Sequence, residues 1–381
     1  MQAAPWMGGM GVGMCAVSAD ELRRFASAVL QTAGLVADAA EVTAQVLVEA
    51  DLQGIESHGV SRLPVYVQNL CSGRFSRHGH CTVQTSGATG VVDGEHGIGP
   101  YVAARAMDTA IALARASGVG AVAVRNSNHF GAASCFGRMA VRQRMIGMVV
   151  TNTPAAMPPT GGRLPFFGTN PIAVSFPTGD HPIEIDLSTS VVARGKILQA
   201  ARTGRPIPVD WALDGDGAPT ADAGRALAGS LLPMGGAKGY ALALAVEVVC
   251  SVLTRSVWGP HIGWMYDDGR EPIRMGHFMG ALDITRFLPW EDYLQRIDQL
   301  RRDIRSVPRM EGVPEILLPG DRRARMAAAQ ARHGIPLSET TREALHTLAA
   351  AFGVPDVVCA DAPAPADDRR EEDLHPCDTN S

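Results

Sequence analysis

Apolar residues recur along this chain in two patterns, a helical spacing of three and four and short unbroken runs, and the two predict different elements. Leu22, Phe25, Ala26, Val29 and Leu30 form one helical stripe, entered through Ser18 with Glu21 three residues later, the spacing of a capping box. The same spacing predicts helices over 37–52, 99–117, 132–144, 191–202, 241–253 and 287–305, and a last one from Ser338 through Ala351. Thr189 or Ser190 is the expected N-cap of the fourth of these. Runs at 121–124, 146–150, 172–176, 182–185 and 275–284 predict strands, and partial alternation over 82–92 predicts more. Each run ends in a polar cluster. Such strand ends, followed by helix starts with unpaired N–H groups, are where α/β sheets bind ligands.

The order of elements is that of an α/β protein. A boundary near Gly94 divides a mainly helical part, residues 17–95 and 287–355, from an α/β part over 96–286. Residues 1–16, rich in glycine and methionine, and the acidic tail 360–381 are expected to be disordered. The stretch 258–274 reads as a polar, mobile loop.

Composition narrows the function. With 381 residues, 46% hydrophobic and 19% charged, the chain can bury a proper core. A net charge of −5 and the lack of a basic run argue against nucleic acid. No apolar run reaches the ~18 residues of a membrane span. Seven scattered cysteines without a C-x-x-C pair fit reduced thiols in the cytoplasm. The 34 basic residues include just two lysines, Lys196 and Lys238, both in glycine-flanked stretches, where a compact ammonium serves and a planar fork would not.

Candidate chemistry gathers at three places. Ser57-His58, with Arg62 four residues on, sets an imidazole and a guanidinium one helical turn apart if Gly59 opens a helix. Histidine moves protons near neutral pH, and arginine grips a carboxylate with two parallel hydrogen bonds. His129 sits between the end of the 121–124 strand and a helix start. Lys238 follows Gly235-Gly236 at another helix entry, where open backbone and one positive charge suit a phosphate, although the spacing is not that of a P-loop. His78-Gly79-His80-Cys81 lacks partners at ligand spacing, so no metal is expected.

Six motifs then fall in one order: IESHGVSRLP at 55–64, NSNHFG at 126–131, GTNP at 168–171, ARGK at 193–196, PMGGAKGY at 233–240 and LPGD at 318–321. Together they resemble the malate/L-lactate dehydrogenase family, which includes sulfolactate and ureidoglycolate dehydrogenases and piperideine-2-carboxylate reductases. The resemblance spans residues 17–354 and implies an NAD(P)-dependent oxidoreductase with a non-Rossmann sheet domain, usually a homodimer or larger. That accounts for the absence of a dinucleotide fingerprint. It implies His129, or His58 with Ser57, as the acid/base, and Arg62, Thr169, Arg194 and Gly195 as substrate contacts. The cofactor contacts it implies are His129, Phe130, Gly131, Ala132, Ala133, Asn152, Asp186, Leu187, Ser188, Lys238, Pro319 and Gly320. The departures are Ala237, where a larger residue is common, and Thr285, where proline often stands.

The expected reaction is hydride transfer between the cofactor, NAD or NADP, and C2 of a small 2-hydroxy or 2-oxo acid. Reduction of a cyclic imine is the alternative within the family. Two expectations lie outside it: a Schiff-base lysine at Lys238 or Lys196, and a binding module without catalysis.

Overall fold

The computed structural model describes residues 15–267, 269 and 271–358. The terminal segments expected to be disordered therefore lie outside it, except Cys15 and Ala16, which begin a strand. In chain order the elements are β1 (Cys15–Val17), α1 (Ala19–Thr32), α2 (Ala37–Leu52), α3 (Leu63–Cys71), β2 (Thr82–Ser86), β3 (Thr89–Asp93) and α4 (Gly99–Ser117). Then come β4 (Val119–Ser127), α5 (Ala133–Val141), β5 (Met145–Thr151), β6 (Ile172–Phe176), β7 (Ile183–Leu187), α6 (Arg194–Arg202), β8 (Ala212–Leu213) and α7 (Ala223–Leu227). The rest are β9 (Ser230–Leu231), α8 (Ala237–Glu247), β10 (Met275–Asp283), α9 (Trp290–Ser306), α10 (Asp321–His333), β11 (Ile335–Leu337) and α11 (Glu339–Phe352).

One seven-stranded mixed sheet, in the order β2-β3-β4-β10-β5-β6-β7, forms the centre. Only β3 and β4 run parallel, joined by α4; every other pair is antiparallel. This is not the doubly wound parallel sheet of a Rossmann domain. Consecutive residues of β5 explain how the sheet is covered. Val149 packs into the core shared with α4 and α5, whereas Val150 packs with Val246 and Cys250 of the α8 segment, as the two-residue period of a strand requires.

A second core is helical. The α1 stripe predicted above is buried together with Val17, Tyr66, Leu337 and Leu345, so both ends of the described chain close one cluster, and β1 pairs with β11 beside it. Arg138 of α5 ties this part to the sheet, forking onto Glu184 of β7 and reaching Glu49 of α2 at 3.3 Å.

Two boundaries differ from expectation. Residues 82–93 belong to the sheet, not the helical part, because β3 pairs with β4. Helix α9 also leaves the N-terminal helices: Tyr293 Oη donates to the Pro177 carbonyl at 3.1 Å and Arg301 pairs with Asp180, so α9 braces the turn between β6 and β7. A third, small core of Ala156, Phe167, Ile197, Ile207, Ala212 and Leu231 gathers 156–167 and 192–243 beside the main sheet, a division the hydrophobic pattern did not mark.

Candidate active site

The Ser57-His58-Arg62 motif does not begin a helix at Gly59. Two 3-10 turns, Glu56–His58 and Val60–Arg62, meet there before α3 starts. The cause is Asp51 of α2, whose buried carboxylate accepts the Val60 N–H at 2.7 Å. Gly59 presses so closely on it that a Cβ would lie 1.7 Å from Asp51 Oδ1. Arg62 consequently turns back, with Nε donating to the Ser57 carbonyl at 2.5 Å, and Ser57 Oγ lies 2.9 Å from His58 Nδ1.

His129 arrives from the far side, two residues past β4. Asn128 fixes that loop by donating to the carbonyls of His96 and Gly97 at 3.0 and 2.7 Å. The two imidazoles stack, with ring centroids 5.5 Å apart and planes 23° apart. Tyr66 of α3, fully buried, lies beneath: its Oη is 2.7 Å from His129 Nδ1 and 3.2 Å from the His129 carbonyl oxygen. A carbonyl can only accept, so the phenol proton goes to it, and Nδ1–H donates to the phenol oxygen. Nε2 of His129 is then left as a lone-pair base.

Electrostatics keep both rings neutral. Burial, then the nearby Arg62, lower His58 to about 4, with Asp186 opposing and Arg323 adding to the fall. Burial first, then His58, Arg62 and His277, hold His129 well below the ordinary histidine range. Burial pushes the Tyr66 phenol up, so it stays protonated.

A second set of groups lies beside this pair. Asp186, at the end of β7, accepts the Ser134 N–H of α5 at 3.1 Å and pairs with Arg323 of α10 at 3.3 Å. The Pro319-Gly320 turn is stitched to β7 by the Glu184 N–H donating to the Pro319 carbonyl at 2.9 Å, and it is held from behind by Asp321 with His181 and Arg305. Leu187 and Ser188 continue β7 toward Thr189, whose carbonyl accepts the Met234 N–H, so the 233–239 turn abuts the same edge. Gly235 and Gly236, at φ 57 and 63, are exposed; an added Cβ would meet nothing within 4 Å at Gly236 and only the Lys238 Cβ, at 3.9 Å, at Gly235. Lys238 follows, exposed at the first turn of α8. Open backbone at a helix entry beside an ammonium is a donor set that fits the diphosphate of a dinucleotide.

The remaining expected residues differ in how far their side chains are already committed. Asn152 is fully buried and its amide is fully used. Nδ2 donates to Glu247 and the Val257 carbonyl, and Oδ1 accepts the Gly276 N–H, so its side chain offers nothing to a cofactor. Phe130 turns inward onto Phe136 and His277, and Ala132 and Ala133 are buried, leaving only their backbone for a ligand. Thr169 is half-buried, its carbonyl accepting from Thr189. Arg194 and Gly195 open α6, Gly195 with free space around it. Ser190 does not cap that helix: its hydroxyl donates to the Val192 carbonyl, and α6 starts at Arg194.

Sequence reasoning missed Tyr66, Asn128 and Arg323 as site residues. Tyr66, four residues after Arg62, was accessible from spacing; Arg323, in an arginine-rich helix, was not.

Residues 17–346 match the family model described as malate/L-lactate dehydrogenase. The chain is 36% identical to the malate/(S)-sulfolactate dehydrogenase of Methanothermus fervidus, over 87% of this chain and 97% of that one. It is 41% identical to the (2R)-3-sulfolactate dehydrogenase (NADP(+)) of Chromohalobacter salexigens, over 81% and 90%. The crystal structure of delta1-piperideine-2-carboxylate reductase from Pseudomonas syringae superposes with a TM-score of 0.80 at 32% identity, covering 87% of this chain and 99% of that one.

Proposed function

Because the chain belongs to the malate/L-lactate dehydrogenase family and is an NAD(P)-dependent oxidoreductase, we propose that it acts at C2 of a small 2-hydroxy or 2-oxo acid with His129 as the acid/base. The observation that carries this reading is the Tyr66 Oη contact to His129 Nδ1, which leaves Nε2 as the base. Bound NAD(P) supplies the hydride acceptor or donor. The chain does the rest. Arg62 holds the substrate carboxylate with its fork, and His129 Nε2 takes the hydroxyl proton in oxidation and returns it in reduction. His58, stacked on His129 and bonded to Ser57, excludes water and is the second candidate for that proton. Gly235, Gly236 and Lys238 hold phosphate, while Asp186, Leu187, Ser188 and the Pro319-Gly320 turn line the cofactor edge.

A cyclic imine is the second reading, supported by the likeness to the piperideine-2-carboxylate reductase. The Schiff-base alternative is weaker, since Lys196 and Lys238 are both exposed and a nucleophilic lysine needs desolvation. A second copy of this chain is part of the reading: Leu242, Leu244, Val248, Val252 and Leu253 leave an apolar face on α8 and the turn after it, each more than 40% exposed. Sedimentation should give a dimer, and a monomer with that face uncovered would remove this part. A cytoplasmic location rests on the scattered, odd number of cysteines.

Oxidation of NADH and NADPH by the purified protein, against a panel of 2-oxo acids and one cyclic imine, tests the reaction. Turnover of a 2-oxo acid is expected. Turnover of the imine alone would replace the first reading with the second, and failure to bind either cofactor would end both.

A further inference from the structure

Arg62 and Arg194 differ from most other arginines that are buried or half-buried among the described residues. Arg138, Arg301 and Arg323 all face carboxylates. Arg62 and Arg194 have none among the described residues, and each makes one hydrogen bond, to the Ser57 and Leu227 carbonyls respectively. What each has instead is an aromatic ring. The Arg62 guanidinium carbon lies 5.7 Å from the Tyr266 ring centre, and that of Arg194 lies 5.4 Å from the Trp264 ring centre. Both rings come from one loop, 6.4 Å apart and tilted by 39°.

That loop is built into the fold. Arg74, only 4% exposed, donates to the carbonyls of Trp264, Asp267 and Glu271 at 2.8, 2.7 and 3.1 Å. Asn69 of α3, also buried, donates to the Met265 carbonyl at 2.8 Å. Three of the five guanidinium hydrogens spent on carbonyls of one turn fix its path without a carboxylate. The stretch read from sequence as mobile is therefore pinned around Trp264 and Tyr266, while those two rings remain 36% and 52% exposed.

Stacking on a ring face orients a guanidinium and leaves its N–H fork free for an anion. Two such forks on neighbouring rings suit a small molecule with an anionic group at each end. We propose that Trp264 and Tyr266 are specificity-determining positioning residues that hold Arg194 and Arg62 as a paired clamp for dianionic 2-oxo and 2-hydroxy acids. Arg62 takes the carboxylate next to the reacting carbon, and Arg194 takes the carboxylate or sulfonate at the other end. The proposal rests on the dehydrogenase reading above. It adds the loop residues that set the preference between one and two negative charges.

The test compares oxaloacetate, with two carboxylates, and pyruvate, with one, in the unaltered protein and in Trp264→Leu, Trp264→Phe and Tyr266→Leu. Loss of one cation–π contact should raise KM for oxaloacetate in Trp264→Leu by about three- to tenfold and leave that for pyruvate within about twofold. Trp264→Phe should restore most of the difference. Tyr266→Leu should raise KM for both acids by similar factors. An equal effect of Trp264→Leu on the two acids, or none on either, overturns the proposal. If Trp264→Leu does not fold, Arg194→Lys replaces it, keeping charge but losing the fork, with the same selective loss expected. Calorimetric titration with malonate and acetate separates this proposal from the reaction. Should the unaltered protein turn over neither acid nor any other 2-oxo acid of the panel, the reading as a 2-oxo acid dehydrogenase fails. The clamp then stands if malonate binds more tightly than acetate and Trp264→Leu abolishes the difference, and falls if the two bind alike.

Discussion

Two polar clusters sit at strand ends of the same sheet, and they differ in whether their hydrogen bonds close. Around Glu247, the amides of Asn152 and Asn170 and the Gly259 N–H all point at one buried carboxylate, which burial raises above the usual carboxylate range. Asn170 also donates to the Ala243 carbonyl and accepts the Thr153 N–H, so little is left over. Around His129 the pattern is open: one ring nitrogen is taken by Tyr66, the facing His58 is stacked, and Arg62 has no carboxylate partner among the described residues. A closed cluster holds strands and helices together, whereas an open one keeps donors and acceptors for a ligand.

The difference can be broken from either side. Arg62→Leu should lower kcat/KM for any 2-oxo acid by about 10³-fold, since it removes a charged hydrogen-bonding fork from the substrate, and steady-state kinetics would read it. Its melting temperature should stay close to that of the unaltered protein. Glu247→Leu should do the reverse. Leaving two buried amides and a backbone N–H without an acceptor should cost about 3 kcal/mol in denaturant unfolding, with turnover per folded molecule retained. Loss of turnover in a fully stable Glu247→Leu protein would place Glu247 in the site and erase the distinction.

Tyr66→Phe sharpens it. With the phenol gone, Nδ1 of His129 is free to exchange tautomers, and turnover should fall by about tenfold with cofactor affinity unchanged. A different kind of effect, graded with pH, is on acid stability. His277, fully buried between Thr151 and Ser127, is lowered by burial from 6.5 to about 3. The unfolded chain takes up that proton first, so stability should fall as pH drops from about 6.5 toward 3, by about 1.4 kcal/mol per unit for this group. Melting curves of His277→Asn should show a shallower slope over that window.

These clusters also mark how far the sequence could be read. Helices α2 and α4 lie at the expected residues, because a long apolar periodicity between clear stops leaves little choice. Helix α6 begins three residues late, since a serine at a strand end can donate to a carbonyl as readily as cap an N–H. The expected helix over 241–253 starts earlier, at Ala237, and passes into a π turn at Val248–Val252, which spacing cannot foretell. Within the site, the motifs named His58, Arg62 and His129, but nothing in them says that two rings so far apart in the chain stack. That the Asn152 side chain is engaged elsewhere was hidden for a related reason: its acceptor, Glu247, lies 95 residues away, and an asparagine looks the same in sequence whether its amide is used or free. The boundary near 95 failed because β2 is exposed along its whole length and β3 is only five residues long, so their apolar pattern is weak, while the pairing of β3 to β4 is made by the backbone.

The most direct test is to measure NAD(P)H-linked turnover and cofactor binding side by side in His129→Ala and His58→Ala. The account predicts that His129→Ala loses about 10²- to 10⁴-fold in kcat while still binding cofactor, and that His58→Ala loses far less. A His129→Ala protein that turns over normally, with His58→Ala inactive, would contradict it and move the proton to the Ser57-His58 pair.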